Sequence, residues 1–141
     1  KPITITQDHA LVEACYSMGL NEKRLLMLGM SRIDPRRFPD STKPLTFKIT
    51  ADDWRNHYPD KESPWRAMKR AADKIMGRFV TLHTGTDKTK KIAWFDSVEY
   101  HASEASVTVQ FGYSVHCFLG GIFDNFTKID LTIINASIRM R

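Results

Sequence analysis

Apolar and polar positions divide the chain into a helical opening, a strand-helix-helix middle and a second half dominated by strands. Asp8 caps a predicted helix from His9 to about Met18, with Leu11, Cys15 and Met18 on one side at helical spacing. Gly19 ends it. Asn21 is the expected N-cap of a second helix, with Glu22 early in its first turn and Leu25, Leu26, Leu28, Met30 and Ile33 as its apolar surface. Asp34-Pro35 stops that helix, and the proline- and charge-rich segment from Arg36 to Pro44 is a predicted loop. Leu45-Thr46-Phe47-Lys48-Ile49 then alternates with the period of a half-buried strand.

The middle of the chain carries the strongest punctuation. Thr50-Ala51-Asp52-Asp53 has the threonine of a capping box with Asp in place of the usual Glu, opening a short helix through Trp54 to about Tyr58 that Pro59 closes. Ser63-Pro64 sets a capping hydroxyl before a proline at the first helical position, a strong helix start. In the helix that follows, Trp65, Met68, Ala72, Ile75 and Met76 fall on one stripe, while Arg66, Lys69, Arg70 and Lys74 occupy the other. After Gly77, Phe79 to His83 reads as a strand, and Gly85 to Lys91 as a loop with three lysines. Ile92 to Phe95 reads as the returning strand. Val98 to His101 and Ser106 to Phe111 form a further predicted pair around Ala102 to Ala105. A helix from Tyr113 to Phe118 is expected to end at Gly120-Gly121, and a last one to run from Leu131 or Thr132 to Arg141.

With 141 residues, 42% of them apolar, one domain with a real core is expected. Disorder, a collagen-like repeat and a multidomain enzyme are excluded. No apolar run approaches the roughly 18 to 20 residues of a membrane helix, so a soluble protein without membrane partners is expected. Cys15 and Cys117 show no metal-type spacing and no disulfide framework, which makes the cytoplasm the default compartment. No secretory signal is visible. The chain opens on Lys1 rather than Met and stops without a C-cap signal, as an excised piece would.

The net charge of +5 is not spread evenly. Residues 61 to 91 hold nine cationic side chains against Glu62, Asp73 and Asp87, a net of +6, so the entire excess is local. Such a patch is the electrostatic footprint of a polyanion, most often nucleic acid, although one basic helix face alone is as readily a solvated surface. The order of elements breaks the tie. Helix, helix, strand, short helix, basic amphipathic helix and lysine-bearing hairpin is the order of a winged helix, in which the second helix of the pair enters the major groove and the hairpin contacts the backbone. The expected fold is therefore an α+β winged helix, with a basic recognition-type helix and a lysine-tipped β-hairpin wing. Its candidate DNA-binding residues are Arg66, Lys69, Arg70 and Lys74 on the helix and Lys88, Lys90 and Lys91 on the wing.

Enzyme chemistry has no foothold in the motifs, so no catalytic residue, metal site or cofactor is expected. The histidines form neither HExxH nor an i, i+4 pair, and no phosphate-binding glycine loop or nucleophile elbow is present. Capping explains Asp53 better than metal binding does. Trp54, Trp65 and Trp94 sit on predicted apolar stripes and are read as core, and Cys15 as a small buried hydrophobe. The apolar run Phe118 to Phe123 is read as core in preference to an exposed dimer surface.

ALVEACYSMGLNEKRLLMLGMSRID, LTFKITADDW, SPWRAMKRAADKIMGR and FTKIDLTIINASIR follow one another at the spacing seen in the iteron-binding plasmid replication initiators, the Rep proteins. The chain resembles their N-terminal winged-helix domain across nearly its whole length. A second, C-terminal winged helix of that family is absent from these 141 residues. The resemblance implies binding of directly repeated origin sequences as a monomer to start replication. It also implies binding of an operator as a homodimer to repress synthesis, with dimer contacts carried by this domain. It makes Arg66, Lys69, Arg70 and Lys74 candidate DNA contacts and leaves host replication proteins as further partners. The alternative is a dimerization and regulatory domain with little DNA affinity of its own.

Overall fold

Backbone and side-chain positions come from a computed structural model that describes residues 13–15, 17–38, 42–59 and 61–124. Residues 13–15 are helical, which matches part of the expected first helix; its remainder up to residue 12 and the expected last helix lie outside the described residues. Helix α1, Leu20–Met30, starts two residues before its sequence signal. Gly19, not Asn21, is the N-cap, because Glu22 reaches back to accept the Gly19 N–H at 3.0 Å while Asn21 accepts from Arg24. A short 3-10 turn, Pro35–Arg37, follows, capped by Asp34. The Arg36 side chain and amide both donate to that carboxyl and hold it below the usual aspartate range.

Strand β1, Thr46–Thr50, alternates exposed and buried residues and leads directly into helix α2, Ala51–His57. The predicted capping box is formed. Thr50 Oγ1 accepts the Asp53 N–H and Asp53 Oδ2 accepts the Thr50 N–H, both at 3.0 Å. Helix α3 spans Pro64–Met76, the bounds its sequence predicts from Ser63-Pro64 and Gly77. Its buried stripe is Ala67, Met68, Ala71, Ala72 and Ile75. Trp65 is only half-buried and Met76 is exposed, so the stripe is rotated from the predicted one toward the alanines. Small side chains there let α3 approach α1 and α2, against both of which it packs.

Four strands complete the described fold: β2, Phe79–Gly85; β3, Lys88–Ala93; β4, Phe95–His101; and β5, Ser106–Phe111. They form two sheets. β1, β5 and β4 make an antiparallel sheet in that order, with Phe47 opposite Val109 and Ile49 opposite Val107. β2 and β3 make a separate two-stranded ribbon. The core lies between the three helices and the inner face of the three-stranded sheet. There the rings of Phe47, Phe95 and Phe111 lie 5.5 to 6.4 Å apart and Trp54 meets Tyr58 at 5.1 Å. Gly29 of α1 presses so closely on β1 that a Cβ there would run into the Phe47 ring.

The Gly120-Gly121 stop is overridden. A 3-10 turn, Tyr113–Val115, runs into helical backbone over residues 116–124 that passes straight through both glycines. Leu119 and Ile122 are buried and Phe123 meets Phe38 at 5.7 Å, so packing outweighs the roughly 1 kcal/mol per glycine of poor helix propensity. The run from Phe118 to Phe123 thus contributes to the core, as do Trp54, Trp94 and Cys15. Burial pushes the Cys15 thiol up to about 12, which keeps it an inert packing group.

Candidate nucleic-acid interface

Helix α3 is fixed at both ends and along one side, and this is what makes its other side usable. Ser63 accepts the Arg66 N–H, Pro64 occupies the first turn without an orphaned donor, and Gly77 ends the helix. With the alanine stripe locked inward, Arg66, Lys69, Arg70 and Lys74 are all exposed on the opposite side. The four predicted cations thus share one outward face, with Asp73 among them.

Its side chains are not equally free. Arg66 and Lys74 make no ion pair among the described residues. Arg70 Nη1 sits 3.0 Å from Glu62 Oε2 in a pair that is largely solvent-exposed, an arrangement worth little in water and readily exchanged for a phosphate. The Lys69 ammonium lies 5.6 Å from the centers of both the Trp65 and Tyr100 rings, a double cation-π contact that orders it. Asp73, seven residues and two turns beyond Arg66, shares the outward direction. It accepts a hydrogen bond from the Tyr100 hydroxyl of β4. Burial first, and then that bond, raise the Tyr100 phenol above its usual range, so it stays a donor. On the side toward α1, an open notch of about 310 Å³ lies between Asn21 and Arg24 and the outward Arg70 and Lys74.

Arg78, part of the same basic stretch, does something else. Its guanidinium donates to Glu22 at 2.6 and 3.3 Å, and the Glu22 side chain is 4% exposed. It clamps the start of α1 to the end of α3 and is removed from the cationic surface. Sequence reasoning did not find this pair, because 56 residues separate its members. The place of Asp73 on this face was not read from the sequence either, although its helical spacing to Arg66 carries that signal.

The lysine hairpin is reshaped. The turn is only Thr86-Asp87, and Lys88, Lys90 and Lys91 lie on β3 rather than at a tip. Lys90 stands opposite Leu82 and Lys91 opposite Thr81, so these two lysines point to opposite faces of the ribbon. Lys88 faces Gly85 next to a register shift. One nucleic-acid backbone cannot engage all three from a single side. The hairpin that continues the sheet of β1, directly beside α2 and α3, is instead β4–β5. Its tip is the 3-10 turn Ala102–Glu104 with a left-handed Ala105, tied down by the Ala51 N–H on the Ala105 carbonyl and by Lys48 on Glu104. That lysine, bonded to Glu104, holds its carboxyl low.

Among the described residues no three metal-ligating side chains converge, and no helix is long and apolar enough to cross a membrane.

Residues 4–137 match the family described as "Initiator Replication protein, WH1". The chain belongs to this family. Among solved structures, the chain resembles the WH1 domain of MSBI1.176, a replication protein isolated from a multiple sclerosis patient. The TM-score is 0.73 and the identity 22%, over 89% of this chain and 97% of that one. It also resembles the Pi initiator protein, solved in complex with iteron DNA, with a TM-score of 0.58 and 17% identity over 83% of this chain and 48% of that one. Identities this low speak for the fold, which is that of the WH1 winged helix. No curated protein matches the sequence.

Proposed function

We propose that this initiator WH1 domain binds the directly repeated origin sequences, or iterons, of a plasmid as duplex DNA through α3, by binding energy alone and without bond chemistry. The observation that carries the reading is the outward face of α3, where Arg66, Lys69, Arg70 and Lys74 are exposed on a helix immobilized along its whole opposite side. The fold neighbor solved with iteron DNA supports it. A major groove admits a helix of this width, and Arg or Lys donors match guanine O6 and N7. Plasmid DNA places this work in the cytoplasm, with host replication proteins as later partners.

Fluorescence anisotropy of the chain on its own origin repeat and on a scrambled duplex, across a salt series, tests this. Four to six phosphate contacts give a slope of log affinity on log salt of about −4 to −5, with tighter binding to the repeat. A slope near zero, or no binding, contradicts it. Self-association is the second reading. Phe79 is 62% exposed on the outer face of a ribbon whose outer edges pair with no described strand, a surface that favors a homodimer. A dimeric mass by light scattering, joined to absent DNA binding, would make this the regulatory half of the initiator instead.

A further inference from the structure

The outward face of α3 contains one residue that works against phosphate binding. Asp73 is exposed on the same stripe as Arg66, about 10 Å further along the helix. A carboxylate there repels a nucleic-acid backbone, and the helix does not neutralize it. Lys69 and Arg70 precede Asp73 by four and three residues, within reach for an ion pair. Yet Lys69 lies over the Trp65 and Tyr100 rings and Arg70 pairs with Glu62. The carboxylate is instead aimed from outside the helix, because Tyr100 of β4 donates to Asp73 Oδ1. Oδ2 has no partner among the described residues. Tyr100 is itself fixed, edge-on to Trp65 with ring centers 6.4 Å apart.

An ionized carboxylate only accepts hydrogen bonds. In the major groove the bases offer two donors, the N4 amino group of cytosine and the N6 amino group of adenine, and an acidic side chain pairs with the cytosine. We propose that Asp73, oriented by Tyr100, is a specificity-determining residue that selects a cytosine in the repeat, at a position about three base steps from that addressed by Arg66. Tyr100 is its positioning residue. Through this acid the face loses non-specific phosphate affinity and gains discrimination between sequences, and the four cations supply the attraction. The inference rests on the reading of α3 as the DNA-contacting helix.

The test is selection from a randomized duplex pool by the full 141-residue chain and by Asp73→Ala, Asp73→Asn and Tyr100→Phe, with sequencing of bound DNA and thermal melting of each protein. The wild-type chain is expected to select a motif with a dominant cytosine at one position. Asp73→Ala should lose preference at that position by about tenfold or more. It should keep the rest of the motif and bind non-motif duplex more tightly. Asp73→Asn keeps an acceptor for Tyr100 but brings its own donor, and should shift the position toward adenine, which asparagine pairs bidentately. Tyr100→Phe retains the charge and should weaken the cytosine preference without moving it. An unchanged motif in both Asp73 variants, whatever their melting temperatures, overturns the proposal and leaves Asp73 as a clip between α3 and β4. A wild-type chain that binds the pool through its cations yet selects no motif overturns it while leaving DNA binding by α3 standing. A chain that binds no duplex at all removes both.

Discussion

Helix α1 carries Glu22, Lys23 and Arg24 in succession, and the structure puts the first and third of them inside the protein. Glu22 is held by Arg78 and the Gly19 N–H, and Arg24 lies 4.7 Å over the Tyr58 ring and donates to Asn21. Helix α3 carries Arg66, Lys69, Arg70, Asp73 and Lys74 and leaves all five exposed. The difference is not visible in charge density. It comes from what each helix packs against: α1 is enclosed by α3, β1 and the core, while α3 meets its neighbors along one alanine-rich stripe. Charges with buried partners fix the geometry of the helix pair, and charges left in water are available to a polyanion. Removing one kind should change stability and leave affinity per folded molecule alone, and removing the other should do the reverse.

The sharpest way to break the first half of that contrast is Glu22→Ala. It strips Arg78 of its carboxylate and Gly19 of its acceptor. With Arg78 39% exposed and able to rehydrate, the loss should lie near the low end for buried pairs, about 2 to 3 kcal/mol. Denaturant unfolding reads this. A loss below about 0.5 kcal/mol, the level of an ordinary surface change, would place the pair with the surface bridges. Gly29→Ala comes next. Better helix propensity, about 1 kcal/mol, is set against a Cβ driven into the Phe47 ring, a clash severe enough to cost about 2 to 3 kcal/mol, so a net loss of about 1 to 2 kcal/mol in chemical denaturation is expected. A stabilized variant would show that α1 and β1 are not in the tight contact described.

Smaller again is the capping box that begins α2. Thr50→Ala should cost about 1 kcal/mol in the same assay. Its partner Asp53 adds a pH signature. Burial pushes its carboxyl up, but the Thr50 N–H and hydroxyl together with Arg32, 3.0 Å away, outweigh burial and leave it below the ordinary value. A depressed folded pKa means that its stabilization is complete above the unfolded aspartate range, near pH 4, and is lost as the pH falls through the lower folded value. Asp53→Asn should therefore flatten the acid limb of the stability profile. An acid limb identical to wild type would contradict the assignment.

Much of this was legible because the signals were local. Ser63-Pro64 and Gly77 bound α3, Thr50 and Asp53 mark the capping box, and the cationic stripe follows from helical spacing. The misses share a cause in non-local packing. Nothing within the lysine-rich segment shows that β5 returns to pair with β1, leaving β2–β3 as a separate ribbon with its lysines on opposite faces. Gly120 and Gly121 look like a stop until Leu119 and Ile122 are seen to reach the core. Ala67 and Ala71 look neutral beside Trp65 and Met76, yet the smaller pair forms the contact surface because only small side chains allow the close approach. Arg78 counts as a patch cation by position and is a structural clamp by contact.

The central claim is that the outward cations of α3 bind DNA and do not hold the fold. It is tested most directly by the double charge reversal Arg66→Glu with Arg70→Glu, measuring melting temperature and duplex affinity on the same preparation. The account predicts a melting temperature within about 2 °C of wild type, since surface substitutions are usually within about 0.5 kcal/mol. It predicts binding to the origin repeat weakened by at least about a hundredfold, since two attractive cations become anions facing the polyanion. Unchanged affinity, or a variant that unfolds, would contradict it.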